Sequence, residues 1–230
     1  MINHDIRVRK TSDVKGPIKA FYYPHKTIRE ELKRLELMAS ELPERLEELE
    51  KRFVLLRGLM EAHTRGEKRV FYPAINNLRK GMGDFLDWDA QLENDYIERI
   101  HKTIQNLKKK WNQDAANKLM REIAALHMLQ TAHTKKEDEL ALPLIDREIE
   151  PPEQGKIVGG MSQQIPREIL EDLFKLMIKS LNQDERKNYL QIIKRGVPPE
   201  EFKSMANWAK DAITEEEWSD LKSSIELDID

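Results

Sequence analysis

Histidine and glutamate recur at a fixed spacing in two stretches of the sequence that otherwise read as apolar helix faces. His63 precedes Glu67 by four residues, and His133 precedes Glu137 by the same distance. In an α-helix, residues four apart lie about one turn along the axis and about 40° around it, so each pair projects from one face. An imidazole nitrogen beside a carboxylate oxygen is a combination that binds transition metals. The spacing therefore predicts two metal-ligating pairs.

The surroundings of the two pairs repeat as well. Pro73 and Pro143 each follow the glutamate of their pair by six residues, and residues 25–28 and 101–104 both read His-Lys-Thr-Ile. Self-similarity of this kind indicates an internal duplication. It predicts that His25 and His101 are equivalent ligands on the helices that precede the two pairs.

A metal is the simplest partner for these residues. One histidine on an apolar face is more often an ordinary core residue, and two buried carboxylates without a partner would cost on the order of several kcal/mol each. Neutral imidazoles do not compensate for that cost, and no lysine or arginine shares the same stripes. The predicted ligands, one set from each of four helices, are His25, His63, Glu67, His101, His133 and Glu137.

This donor set is sufficient for two metal ions with bridging carboxylates, an arrangement found in the cores of helix bundles. Mixed nitrogen and oxygen ligation favours iron or manganese over calcium or magnesium, and zinc is an alternative. Glu98, three residues before His101, is a further candidate oxygen ligand. Its alternative is an exposed position on the helix.

Four long helices are predicted to position these side chains. Apolar residues recur in steps of three and four from Ile18 to Leu35, and the same pattern continues through three later segments. Glycines at 81 and 83 separate the second segment from the third, which is expected to begin near Asp87. With that start, His101 lies as far along its helix as Glu67 lies from the end of the second helix. The fold class is therefore all-α, with an antiparallel up-down four-helix bundle over residues 17–150.

Two further segments flank the predicted bundle. Residues 1–16 read as a charged N-terminal tail, and residues 151–230 as a C-terminal helical extension of shorter amphipathic pieces. The helices expected in this extension span residues 167–181, 184–195, 199–212 and 214–226.

Composition excludes several classes of protein. The 230 residues include no cysteine, which rules out disulfides, thiolate nucleophiles, zinc fingers and iron–sulfur clusters in this chain. With 39 basic and 42 acidic residues, no net field recruits nucleic acid or an anionic membrane. No apolar run is long enough for a membrane span or a secretory signal. We expect a cytoplasmic or nuclear location, no nucleic-acid partner and no membrane partner.

The motifs resemble those of the hemerythrin/HHE cation-binding family. The likeness covers residues 17–150 and rests on one histidine followed by His-x-x-x-Glu, repeated, with a proline after each glutamate. It implies a non-haem di-iron centre, held by the six residues named above, that meets dioxygen or another small ligand. Oxygen-carrying hemerythrins have a fifth histidine on the third helix, where this chain has Gln105. That departure argues against reversible oxygen transport.

The segment after the bundle is similar to the helical stretch that follows each HHE repeat in plant BRUTUS-type iron-responsive ubiquitin ligases. The likeness rests on residues 161–166, residues 181–186 and Trp208. The cysteine-rich zinc modules of those ligases are absent, so this chain cannot itself be a ligase.

Three functions follow as hypotheses. The first is a di-iron binding protein in iron or oxygen sensing, binding or storage, with a protein partner at the C-terminal helices. The second is a di-iron redox enzyme acting on dioxygen, peroxide or ferrous iron. The third is a helical interaction module whose polar seam is merely structural. We favour a binding protein over an enzyme.

Overall fold

The structure, a computed structural model, describes residues 13–225, and within that range it contains helices and no strand. The predicted all-α, bundle-type fold class is confirmed. A 3-10 turn, Pro17–Phe21, leads into the first long helix. The bundle helices are α1 Tyr22–Ala39, α2 Leu46–Gly66, α3 Tyr72–Leu78, α4 Met82–Lys109, α5 Gln113–Lys136 and α6 Leu142–Glu148.

Two π-helical turns join four of these helices into two continuous helical rods. Glu67–Phe71 joins α2 to α3, and Glu137–Ala141 joins α5 to α6. Pro73 and Pro143 follow these turns in the first turn of the next helix, where a missing N–H donor is tolerated. Since proline cannot complete the regular hydrogen-bond ladder, the backbone widens just before it. Turns of this kind are frequent at functional sites.

The bundle core lies between α1, α2, α4 and α5. In this arrangement α1 packs against α2 and α5, while α4 packs against α2 and α5. The predicted apolar stripes supply the buried faces, represented by Leu32, Leu56, Ile104 and Ile123, each of which is fully buried. Burial of a side chain of this size contributes roughly 1.5–3 kcal/mol, so the stripes account for much of the bundle's stability.

The C-terminal helices are α7 Pro151–Ser162, α8 Arg167–Ser180, α9 Gln183–Gly196, α10 Pro199–Ala212 and α11 Glu215–Ile225. The last four begin and end within two residues of the predicted bounds. Helix α7 is not predicted by the sequence pattern, in which Pro151 only ends the preceding helix. The structure places this proline at the first position of α7, where its fixed φ favours helix initiation.

Helix α8 contributes to two cores at once. Leu173 and Met177 pack into the bundle core, whereas Phe174 and Ile178 pack into a second apolar core. That second core is built with α9, α10 and α11 and includes Phe202 and Trp218, among others. The extension is therefore anchored to the bundle through a shared helix.

Residues 13–16, at the end of the predicted tail, are also attached to the bundle. Val14 is buried, and the backbone N–H groups of Lys15 and Gly16 donate to the Asp146 carboxylate. Residues 1–12 of that tail lie outside the described residues. Among the helices of residues 13–225, none has the length and apolar composition that crossing a membrane requires.

Candidate metal centre

Four of the predicted ligands meet in the middle of the bundle. One ligand atom from each of His25, His63, Glu67 and Glu137 lies within 4.8 Å of every other. His25 projects from the first turns of α1 and His63 from the last turn of α2, while each glutamate opens a π-turn. His63 Nε2 lies 2.8 Å from Glu67 Oε1. The His-x-x-x-Glu spacing thus brings its two side chains into direct contact.

Glu137 connects this group to the second predicted pair. Its Oε2 lies 3.3 Å from His25 Nε2, and its Oε1 lies 3.4 Å from His133 Nε2. Glu137 is fully buried and both histidines are buried with it. One carboxylate therefore faces imidazoles from two different helices, one with each oxygen, which is the disposition of a bridging ligand.

The polar atoms of this cluster are suited to hold a cation. Within the described part of the chain, no well-aligned hydrogen bond reaches these buried atoms, which face one another: His25 Nε2, His63 Nε2, Glu67 Oε1 and both carboxylate oxygens of Glu137. Buried polar atoms are normally hydrogen-bonded, and a converging set that is not points to a ligand. Imidazole nitrogens with carboxylate oxygens match the preferences of iron, manganese or zinc.

A carboxylate behind the His25 imidazole fixes its orientation, and another carboxylate lies farther from the His133 ring. Asp138 Oδ1 lies 2.6 Å from His25 Nδ1, and its Oδ2 accepts a hydrogen bond from Arg29. Glu93 Oε1 lies 3.7 Å from His133 Nδ1. A carboxylate at Nδ1 leaves Nε2 as the ligating nitrogen and increases the basicity of the ring.

Electrostatic interactions between the imidazoles and the carboxylates of the cluster dominate its protonation. Burial alone lowers the pKa of His63, but the Glu67 and Glu137 carboxylates raise it above its ordinary value. Burial likewise disfavours the charged form of His133, yet Glu137, Glu93 and Glu67 raise its pKa to about 10. Burial would raise the pKa of Glu67, but His63, His133 and His25 lower it to about 2. Without metal, the shifted pKa values therefore favour the protonated form of His63 and His133 and the ionised form of Glu67.

The structure does not bring His101 to this cluster. His101 lies half-buried near Glu50, whose pKa is lowered mainly by Lys108, with further contributions from Gln105 and His101. Glu50 precedes His63 on the same helix by 13 residues, which is roughly 20 Å along the axis. Glu98, the other candidate on this helix, has a side chain that is 64% exposed and accepts a hydrogen bond from Arg57.

His101 lies away from the cluster because α4 begins at Met82 rather than near Asp87. Glu67 lies eleven residues before the end of α3 at Leu78, and the residue eleven positions after Met82 is Glu93. Glu93, only 2% exposed, is thus the residue that α4 brings to the level of the centre. The sequence spacing also indicates that His25 and His101 are not equivalent positions of the repeat. The two His-x-x-x-Glu pairs are separated by 70 residues, whereas His25 and His101 are separated by 76.

Tyr72 is a second residue of the centre that the sequence pattern did not reveal. It is 4% exposed, and its hydroxyl lies 3.3 Å from His133 Nε2. Burial, together with Glu67, Glu137 and Glu93, raises the pKa of its phenol. Tyr72 also lines a surface cavity of about 170 Å³ with Lys68, Asn76, Asp84 and Asp87. This cavity opens to the surface beside Tyr72.

Comparison with known proteins agrees with these observations. The family model described as the hemerythrin HHE cation-binding domain matches residues 16–145. The zinc finger protein BRUTUS of Arabidopsis thaliana is 24% identical over 191 residues, covering 81% of this chain and 15% of that protein. A BRUTUS-like zinc finger protein of the same plant is 25% identical over 197 residues, covering 76% and 16%. The chain thus spans about a sixth of the length of these relatives. No solved structure matches it.

Proposed function

The chain belongs to the hemerythrin HHE cation-binding family, and we propose that it is a non-haem di-iron protein acting in iron or oxygen sensing, binding or storage. The observation that carries the proposal is Glu137, whose two oxygens face His25 and His133 at 3.3 and 3.4 Å. A single buried carboxylate between imidazoles of two helices is the expected geometry for two ions that share a ligand.

The described side chains divide into two ligand groups around that carboxylate. His25, His63 and Glu67 would hold one ion with Glu137 Oε2, and His133 would hold the other with Glu137 Oε1. Bound iron supplies reversible change between two oxidation states and open positions for a small ligand such as dioxygen. Asp138 fixes the ring of His25, and burial of the cluster limits access of water to it.

Metal analysis of the untagged full-length chain tests the proposal. We expect about two iron ions per chain after anaerobic loading with ferrous iron, and near-ultraviolet absorption after aeration. The matched control is the His127→Ala variant, since His127 pairs with Glu36 outside the cluster and its removal should leave both signals unchanged. A folded chain that takes up no metal would overturn the proposal.

The role of the bound iron is a separate question. The likeness to BRUTUS-type iron-responsive proteins supports a sensing role in iron homeostasis, with the C-terminal helices as the surface for a protein partner. The cavity at Tyr72 supports the second candidate, a redox enzyme acting on dioxygen, peroxide or ferrous iron. Repeated turnover of peroxide by the loaded protein would favour the enzyme, and a single stoichiometric oxidation would favour the sensor or store.

A further inference from the structure

Tyr72 owes its position at the centre to the π-turn that begins at Glu67. Its backbone N–H donates to the carbonyl of Glu67, five residues earlier. In a regular α-helix, five residues turn the chain by about 500°, so Tyr72 would point roughly 140° away from Glu67. The wider π-turn aligns the two side chains instead. The phenol therefore lies among the ligands, with its hydroxyl 3.3 Å from His133 Nε2.

The two metal positions are unequal in their supply of ligands. Four ligand atoms converge where His25 and His63 meet the two glutamates. At the other position, the predicted set supplies His133 Nε2 and Glu137 Oε1, because His101 lies elsewhere in the bundle. An ion bound there needs a further ligand from a nearby side chain or from solvent.

The Tyr72 hydroxyl lies at the distance expected of such a ligand. Two neighbouring atoms that bind one transition metal at about 2.1 Å are roughly 3.0–3.4 Å apart. The distance from Tyr72 Oη to His133 Nε2 is 3.3 Å, close to the 3.4 Å between His133 Nε2 and Glu137 Oε1. Both distances from His133 Nε2 therefore match the spacing of two ligand atoms in one coordination sphere.

Metal binding at His133 also removes one hydrogen bond of this hydroxyl. In the metal-free chain the Tyr72 hydroxyl shares a hydrogen bond with His133 Nε2. A metal at Nε2 occupies the position of the ring proton or lone pair, so this nitrogen can no longer form a hydrogen bond with the hydroxyl. Loss of a hydrogen bond by a buried hydroxyl is unfavourable. Binding the same metal gives the phenolic oxygen a new partner without moving the ring.

We propose that Tyr72 is a ligand of the ion held by His133 and Glu137, an inference that rests on the proposed metal-binding function. As the metal–oxygen bond forms, the phenol O–H bond breaks and the proton leaves to solvent through the cavity that Tyr72 lines. No electron is transferred in this step. The duplication places Leu142 at the equivalent position of the other half, so the ligand belongs to one of the two metal positions.

Zinc titration of the metal-free wild-type chain at neutral pH tests the proposal without any redox chemistry. We expect an ultraviolet difference spectrum of tyrosinate, amounting to one tyrosinate per chain once two zinc ions are bound. Zinc binding without a tyrosinate signal would overturn the proposal and leave the metal-binding function intact. Absence of zinc and iron binding would overturn both.

The Tyr72→Phe variant identifies the residue, and Tyr96→Phe is the matched control. Tyr96 lies on α4 with its ring against the Arg99 guanidinium, outside the ligand set. Ferric-loaded wild-type protein and the Tyr96 variant should show a visible phenolate-to-iron band with phenolate modes in resonance Raman spectra, and Tyr72→Phe should lose both. A band that persists in Tyr72→Phe would assign the signal to another tyrosine and overturn the proposal. If Tyr72→Phe does not fold, the wild-type zinc titration still decides whether a tyrosinate forms.

Discussion

At the scale of single residues, the two glutamates of the duplicated motif make different contacts. Glu137 faces an imidazole with each of its oxygens, whereas Glu67 Oε1 contacts His63 of its own helix. Glu137→Gln removes a negative charge shared by both ions, so the uncompensated positive charge in the buried core increases at both positions. We expect metal content to fall by at least about half, with a lower melting temperature of the loaded protein.

The comparison with Glu67→Gln makes this prediction specific. That variant should retain more metal than Glu137→Gln, because the second ion keeps His133 and Glu137. Metal content is measured on both variants after identical loading and desalting. Equal losses would mean that the two carboxylates contribute equally and that Glu137 does not bridge.

His101 gives the second prediction at this scale. Because it lies near Glu50, roughly 20 Å from the centre along α2, His101→Ala should bind as much metal as the wild type. His133→Ala should lose the ion at the second position, because its Nε2 faces Glu137 directly. Metal analysis of the two variants side by side checks this. Loss of metal in His101→Ala would show that α4 adopts a different register in the loaded protein.

The structure brings five of the predicted residues together, because the information that identifies them is local. A His-x-x-x-Glu spacing on an apolar stripe determines which two side chains meet, whatever surrounds the helix. His25 was found because it interrupts an apolar stripe of its own. Glu93 and Tyr72 depend on where α4 begins and on the π-turn, and neither follows from a local pattern of residue types.

At the scale of elements, the two π-turns connect the sequence to the centre. Each begins at a glutamate and ends shortly before a proline, so the proline supplies a reason for the widened backbone. Pro73→Ala restores an N–H donor and removes the steric obstacle to a regular α-helix. We expect the metal-free protein to keep or gain thermal stability, while loaded protein loses metal because Glu67 and Tyr72 no longer align.

Two variants accompany this test. Pro143→Ala should act similarly on Glu137, whereas Pro199→Ala, in the first turn of α10, lies in no π-turn and should leave metal content unchanged. Metal content and melting temperature are measured on all three. Wild-type metal content in both Pro73→Ala and Pro143→Ala would show that the prolines do not maintain the π-turns.

The predicted helix boundaries agree with the structure to different degrees. The helices α8 to α11 were predicted within two residues, because glycine, proline and helix-capping residues separate them; Asn182 and Glu185 form a capping box at the start of α9. Helix α4 begins at Met82, five residues before the predicted start. Residues 82–87 are helical although their apolar pattern is weak. That difference of five residues accounts for most of the eight-residue displacement between Glu93, which lies at the level of the centre, and the predicted ligand His101.

At the scale of the whole molecule, the shared helix α8 couples the C-terminal extension to the metal-binding bundle. Leu173 is buried in the bundle core while its neighbour Phe174 is buried in the second core. We expect one cooperative calorimetric transition, with Leu173→Ala destabilising both cores together by about 2–5 kcal/mol. The control is Leu37→Ala, whose side chain is largely exposed. Two separate transitions would show that the extension folds independently.

The protonation of the centre predicts how the metal-free molecule responds to pH. The folded pKa values of His63 and His133 are raised, that of His133 to about 10, so their stabilising contribution is complete below the ordinary value of 6.5 and is lost as pH rises above it. The pKa of Glu67 is lowered to about 2, so its contribution is complete above its ordinary value of 4.5 and is lost as pH falls below it. As far as these groups decide it, the metal-free protein should melt highest near pH 5–6 and lower at pH 8.

Metal binding should reverse that dependence. An ion requires neutral imidazoles and ionised carboxylates, so it must displace protons from His63 and His133, and this competition weakens as the proton concentration falls from pH 5 to pH 8. The difference in melting temperature between loaded and metal-free protein should therefore grow from pH 5 to pH 8. Thermal melts of both forms at four pH values measure it, with His127→Ala as a control that should reproduce the wild-type curve because His127 lies outside the cluster. A difference that stays flat, or that narrows as pH rises, would mean that metal binding does not compete with protons at these imidazoles.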